Sequence, residues 1–184
     1  MPPPAWTGYN RKMGPTLLYF AYGSNLHPLR LRERAPSARF VQVTAITEHS
    51  LRFHKRGRDG SSKCNAYFTA ERNDKLLGAL YEIDAREKPA LDQHEGVGAG
   101  YEITTFSVMA LGREREVFAY VAMANHIDES LRPFGWYTEL VLLGATYHGF
   151  PTTYLESIKL IRTVVDTDQA RAGRNERILA QMRR

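Results

Sequence analysis

The chain has 184 residues, a length typical of one globular domain that buries its own hydrophobic core. Its single cysteine, Cys64, excludes an internal disulfide and a thiolate zinc cluster, and no run approaches the roughly 18 apolar residues of a membrane-spanning helix. Residues 1–14 lack the apolar core of a secretory signal. We therefore predict a cytoplasmic protein without a membrane partner.

The net charge of +5 raises the question of nucleic-acid binding. Basic residues fall in three groups, at residues 30–39, 54–58 and 171–184, and acidic residues stand in or next to each group. Zinc-finger spacing, a helix-turn-helix pattern and an aromatic RNA-binding signature are absent from the sequence. This distribution favours solvated surface charge and predicts no nucleic-acid partner.

The first predicted strand, residues 17–22, is apolar and aromatic and leads directly into the polar turn Gly23, Ser24 and Asn25. Gly23 lets the main chain approach a ligand closely, because no side chain stands in the way. The backbone N–H groups of such a turn can bind a carboxylate or a developing oxyanion. The segment predicts a binding loop, and a simple tight turn after a buried strand is the alternative.

Extended segments dominate the middle of the chain, because β-branched and aromatic residues alternate with polar turns. Helices are predicted at 28–35, 136–147 and 152–162. Sequential pairing of the strands predicts an α+β protein: a mostly antiparallel curled sheet or small β-barrel with flanking helices. The predicted strands after the first are residues 38–46, 51–55, 64–70, 75–83, 101–110 and 116–123.

A further helix, predicted between Asp84 and Gly96, places Glu95 at its C-terminal end. Asp84 suits the N-cap, Glu87 suits a capping box, and Gly96 suits the left-handed position after the helix. The unpaired backbone carbonyls at that end carry partial negative charge, so they disfavour the ionised form of the Glu95 side chain. A carboxyl group that accepts a proton during a reaction needs such surroundings. A solvated surface glutamate is the alternative.

Other ionisable or polar residues give weaker signals. Cys64 fits a small apolar strand residue better than a nucleophile. Tyr101 and Tyr137 can donate hydrogen bonds to a ligand, or they can lie at the edge of the core. The histidines have no partners at the spacing of metal ligands, so we predict no metal site.

Two segments together resemble the γ-glutamylcyclotransferase family. Residues 19–26, YFAYGSNL, are similar to that family's substrate loop, and residues 91–97, LDQHEGV, are similar to the segment that carries its catalytic glutamate. Residues 149–154, GFPTTY, resemble a turn and helix near the end of the family's domain. The resemblance covers residues 17–162 and predicts one domain there. The composition of the segments outside it predicts a flexible arm at 1–16 and a polar helix or tail at 163–184.

This resemblance implies a compact barrel that needs no metal or organic cofactor and converts γ-glutamyl amides to 5-oxoproline. It implies that Glu95 is the general acid/base and that Tyr101 and Tyr137 line the pocket. Asn25 in the turn points to the branch that acts on γ-glutamyl amino acids. The remaining loop residues implied to bind substrate are Tyr19, Phe20, Ala21, Tyr22, Gly23 and Ser24.

Several alternatives stay open at this point. An amide hydrolase that uses water, or a non-catalytic module that binds carboxylates, would also use such a loop. A homodimer is neither required nor excluded. The loop 55–63 is more basic than a neutral leaving amino acid requires, so it is either plain surface or, if it borders the pocket, a determinant for acidic leaving groups.

Overall fold

The structure, a computed structural model, describes residues 14–184, so most of the predicted arm, residues 1–16, lies outside the described residues. Within these residues, two short helices lie among the strands and three helices follow the last strand, in the order that the sequence predicts. The strands are β1 (Thr16–Ala21), β2 (Arg39–Thr47), β3 (His49–Arg56), β4 (Ser62–Phe68), β5 (Lys75–Asp84), β6 (Tyr101–Ala110) and β7 (Arg113–Ala122). The helices are α1 (Pro28–Arg32), α2 (Lys88–Glu95), α3 (Gly135–Tyr147), α4 (Thr152–Lys159) and α5 (Gln169–Met182), with 3₁₀ turns at Ala85–Glu87 and Ala124–His126.

Five strands form one curled sheet in the order β2-β5-β1-β7-β6, and β3 and β4 form a separate two-stranded ribbon. Every neighbouring pair is antiparallel except β1 and β7, which are parallel. The prediction of a curled, mostly antiparallel sheet with flanking helices is confirmed. The apolar strand β1 lies at the centre of the sheet, so the turn that follows it emerges from the middle of the fold.

The turn after β1 is held from behind by the sheet and by α3. The Tyr81 hydroxyl donates to the Leu26 carbonyl at 2.6 Å, and His148 Nε2 lies 2.8 Å from the same oxygen. Gly144 of α3 lies so close that a Cβ atom built there would stand 2.4 Å from the Leu26 Cβ and 2.9 Å from the His27 backbone nitrogen. The absence of a side chain at Gly144 is what lets the helix contact the turn.

The predicted helix between Asp84 and Gly96 is split into a 3₁₀ turn and α2. Asp84 caps the first part, since its side chain accepts from the Arg86 N–H at 2.9 Å. The predicted capping box is wrong, because the Glu87 carboxylate instead accepts from the N–H and hydroxyl of Ser37 at 3.0 and 2.6 Å. Gly96 has φ 74°, the left-handed geometry expected after the helix, so α2 ends at Glu95.

The last helix, α5, packs against α3 through a small apolar cluster of Leu140, Ile178, Leu179 and Met182. Before α5, the buried carboxylate of Asp166 accepts from Trp136 Nε1 at 2.9 Å and from Arg171 Nε at 2.7 Å. No helix among residues 14–184 is both long and apolar enough to cross a bilayer.

We expect Gly144→Ala to lower the free energy of unfolding by about 1–3 kcal/mol, because the added methyl group overlaps Leu26 and His27. Urea denaturation measures this change. Gly173→Ala in α5 is the matched control: its Cβ would meet nothing within 4 Å, so the replacement should be neutral or stabilise the helix by up to about 1 kcal/mol. Equal effects of the two replacements would contradict the packing role of Gly144.

Candidate active site

Two adjoining cavities open where β1 ends. The inner cavity has a volume of about 20 Å³ and the outer cavity about 230 Å³, and Ser24, Glu95, Tyr101 and Tyr137 line both. The inner cavity is also lined by Tyr19, Tyr22, Gly23, Asn25, Cys64 and Tyr120. The outer cavity is also lined by Arg34, Lys55, Gly57, Arg58, Asp59, Lys63, His94, Gly96 and Ala99.

Glu95 lies at the boundary between the two cavities and is connected to the turn after β1. Its Oε1 atom accepts from Asn25 Nδ2 at 3.0 Å and from the Arg34 guanidinium. Asn25 Nδ2 also donates to the Tyr19 hydroxyl at 3.0 Å, and Asn25 Oδ1 accepts from Arg34 at 2.8 Å. Within residues 14–184, Oε2 of Glu95 accepts no hydrogen bond, so this oxygen is available to a ligand.

Glu95 is the last residue of α2, as the sequence predicts, and its carboxylate pairs with Arg34. Arg34 stabilises the carboxylate, and with side chains only 14% and 15% exposed, water screens this pair little. The sequence predicts solvated surface charge at Arg34, and the ion pair with Glu95 corrects this prediction.

Buried tyrosines form the wall of the inner cavity. The pKa values of Tyr22, Tyr101 and Tyr137 are raised well above the usual value, chiefly by burial, so these phenols stay protonated. The Tyr101 hydroxyl donates to the Cys64 carbonyl at 2.5 Å, and the Tyr137 hydroxyl accepts from the Cys64 N–H at 3.0 Å. The backbone of Cys64 in β4 therefore holds both Tyr101 and Tyr137 in place in the wall of the inner cavity.

The Cys64 thiol is buried in this wall, and burial raises its pKa to about 12. A thiol with such a pKa is protonated at neutral pH and is a poor nucleophile. Cys64 therefore fits the structural role that the sequence favoured.

The glycine turn has the properties expected of a binding loop. The Leu26 N–H donates to the Gly23 carbonyl at 3.0 Å and closes the turn. A Cβ atom at Gly23 would lie 3.1 Å from the Cys64 Cβ, so glycine permits the close approach of the loop to β4. Across the described chain, the backbone N–H groups of Gly23 and Ser24 find no acceptor, and they are available to an anionic group of a ligand.

The structure brings together most of the residues that the sequence proposed as a site. Phe20 and Ala21 are the exceptions: both are fully buried and neither lines a cavity, so their expected contact with substrate is corrected to a packing role. The Phe20 ring instead lies directly over Gly78, where a Cβ would meet it at 2.3 Å. The residues that do line the cavities are Tyr19, Tyr22, Gly23, Ser24, Asn25, Glu95, Tyr101 and Tyr137.

Further side chains that the sequence did not propose for the site also line the cavities, among them Arg34, Lys55 and Tyr120. Arg34 stands in a run of arginines after α1, which gives no sign of which one turns inward. Lys55 belongs to the basic loop 55–63, and the structure places this loop against the outer cavity. Among residues 14–184, no group of three or more His, Cys, Asp or Glu side chains could hold a metal ion.

A carboxylate at the boundary of two cavities, beside a turn with free N–H groups, is an arrangement suited to moving protons on a small substrate. Comparisons with known proteins define the family. A profile described as the AIG2-like family matches residues 75–158. The γ-glutamylcyclotransferase of Mus musculus is 31% identical over 159 residues, covering 84% of this chain and 83% of that protein.

The γ-glutamylcyclotransferase of Homo sapiens is 30% identical over 151 residues, covering 79% of each chain. A solved structure described as a γ-glutamyl cyclotransferase has a TM-score of 0.78 at 26% identity, covering 91% of this chain and 99% of that one. The chain therefore belongs to the γ-glutamylcyclotransferase family, as its motifs predicted.

The contact between Arg34 and Glu95 can be measured by a double-mutant cycle. We expect Arg34→Met and Glu95→Gln to be coupled by about 1–3 kcal/mol in the free energy of unfolding, because each single change leaves a partly buried polar group unpaired. The more exposed pair of Arg30 and Glu33 on the same side of the fold is the control, with an expected coupling below about 1 kcal/mol. Similar coupling in both pairs would contradict a distinct role for Arg34.

Proposed function

We propose that this protein converts a γ-glutamyl amino acid, or a related γ-glutamyl amide, to 5-oxoproline and the free amine. The observation that carries the proposal is the placement of Glu95 on the cavity wall, hydrogen-bonded through Asn25 to the turn that carries the free N–H groups of Gly23 and Ser24. Membership of the γ-glutamylcyclotransferase family supports the same reaction.

The reaction needs little from the protein beyond folding the substrate and moving protons. The α-amino nitrogen of the γ-glutamyl group attacks its own γ-carbonyl carbon, a C–N bond forms, and the bond to the leaving amine breaks. Holding the substrate bent supplies the effective concentration of the amine. No water is consumed, and no covalent intermediate with the protein is required.

Glu95 is proposed as the group that moves the proton. It takes a proton from the α-ammonium group, which makes the amine nucleophilic, and later delivers one to the departing nitrogen. Oε2 is the oxygen free to do so, since Asn25 and Arg34 both bond Oε1. Arg34 and Asn25 act as positioning residues, because they fix the carboxylate from the side away from Oε2.

The turn is proposed to bind the charged parts of the substrate. The N–H groups of Gly23 and Ser24 can receive either the α-carboxylate or the oxyanion that forms at the γ-carbonyl. Tyr19, Tyr22, Tyr101 and Tyr137 enclose this region with protonated, mostly apolar side chains. Electrostatic interactions with the substrate are stronger in such surroundings than in water.

An amide hydrolase on the same fold is the second candidate, and product identity separates the two. We expect mass spectrometry to detect 5-oxoproline, without free glutamate, after incubation of the protein with γ-glutamyl amino acids. The control omits the protein, because γ-glutamyl compounds also cyclise slowly by themselves. Glutamate as the product would establish hydrolysis instead, and no product from a panel of γ-glutamyl amino acids, γ-glutamyl amines and glutathione would favour a binding module.

The role of Glu95 is tested by Glu95→Gln, which keeps the size of the side chain and removes its ability to accept a proton. We expect kcat to fall by about 10²–10⁴-fold, while the fold and substrate binding persist. Glu102→Gln is the matched control, since Glu102 is exposed on β6 and lines neither cavity. A Glu95→Gln protein that cyclises substrate at the wild-type rate would remove Glu95 from the mechanism.

That the reaction needs no cofactor stays a prediction from the sequence. The cytoplasmic location, like the choice between a monomer and a homodimer, stays a prediction from the sequence.

A further inference from the structure

The outer cavity contains more positive charge than its own carboxylates neutralise. Four cationic side chains line it, and two of them are paired: Arg34 with Glu95, and Lys63 with Asp59 at 2.7 Å. The other two are Lys55 and Arg58. Neither forms an ion pair or a hydrogen bond through its side chain with any residue in the described part of the chain.

Lys55 is the more unusual of the two, because it is only 5% exposed. Its Nζ atom lies 4.5 Å from the centre of the Tyr101 ring, a cation–π contact, and close to Gly100. Burial lowers its pKa, and the charge of Glu95 opposes this shift. A buried ammonium without a carboxylate partner is costly, and an anionic ligand in the outer cavity would remove that cost.

Arg58 lines the same cavity and is exposed. A Cβ atom built at Gly96 would lie 3.4 Å from one of its terminal nitrogens, so the guanidinium is next to Gly96, at the end of α2. Lys55 and Arg58 repel each other, which is a further reason to expect an anionic group beside them.

We propose that the outer cavity is the leaving-group site, and that Lys55 and Arg58 select acidic amino acids, the dicarboxylates, as the leaving amine. This inference rests on the proposed function. With Glu95 at the boundary of the cavities, a substrate whose amide bond lies at Glu95 has its γ-glutamyl group beside the glycine turn and its leaving group beside the two cations. A neutral amino acid brings one carboxylate to this site, whereas glutamate or aspartate brings two.

The test compares γ-glutamyl-glutamate with γ-glutamyl-glutamine, which has nearly the same shape but one carboxylate fewer. We expect kcat/KM to be at least about tenfold higher for γ-glutamyl-glutamate, as a charge-assisted contact predicts. Arg58→Gln and Lys55→Met should each reduce this ratio severalfold, mainly through KM. Arg56→Gln is the matched control, because Arg56 is an exposed cation of the same segment that pairs with Asp128 and lines neither cavity.

The outcomes separate this inference from the proposed function. If 5-oxoproline forms from neither compound nor from any other γ-glutamyl amide, the proposed function fails. If it forms from both compounds at similar kcat/KM, or if the ratio survives both replacements, only the selectivity for dicarboxylates is overturned. If Lys55→Met does not fold, Arg58→Gln still tests the selectivity, because Arg58 is exposed and its replacement should leave the fold intact. Inhibition of the wild-type protein by free glutamate, and not by glutamine, is the expected second readout.

Discussion

The hydrogen bonds of Asn25 and Arg34 to one oxygen of Glu95 are the contacts on which the rest of the site depends. They join two segments far apart in the sequence: the turn that leaves the central strand β1 and the last residue of α2. The turn packs against the sheet and against α3, and α2 ends at Glu95 because Gly96 adopts left-handed backbone geometry. A carboxylate fixed through one oxygen keeps its second oxygen free, which is the arrangement that the proposed acid/base role of Glu95 requires.

Much of this arrangement could be predicted from the sequence, because its determinants are local. The change from an apolar strand to a glycine turn at Tyr22 and Gly23, and the helix end at Gly96, each depend on residues close in the chain. The resemblance of these segments to one family then predicted the fold and the family, and both are confirmed. The strand boundaries agree with the structure to within a few residues for the same reason.

What could not be predicted depends on contacts between distant segments. Phe20 and Ala21 lie in the same motif as Tyr19 and Tyr22, yet burial in the sheet separates their roles. Arg34 pairs with a residue 61 positions away, so nothing beside it in the sequence marks it among its neighbouring arginines. The parallel pairing of β1 and β7, which carries Tyr120 to the cavity, likewise joins strands from opposite ends of the sheet-forming segment.

The two walls of the inner cavity are attached to position 64 through the main chain, and this has an evolutionary consequence. Tyr101 and Tyr137 contact the carbonyl and the N–H of Cys64, which every residue except proline possesses. The sulfur itself is not needed for these contacts, while the proximity of Gly23 limits the volume available there. Sequences of this family should therefore tolerate alanine or serine at this position much more readily than any change of the two tyrosines that it holds.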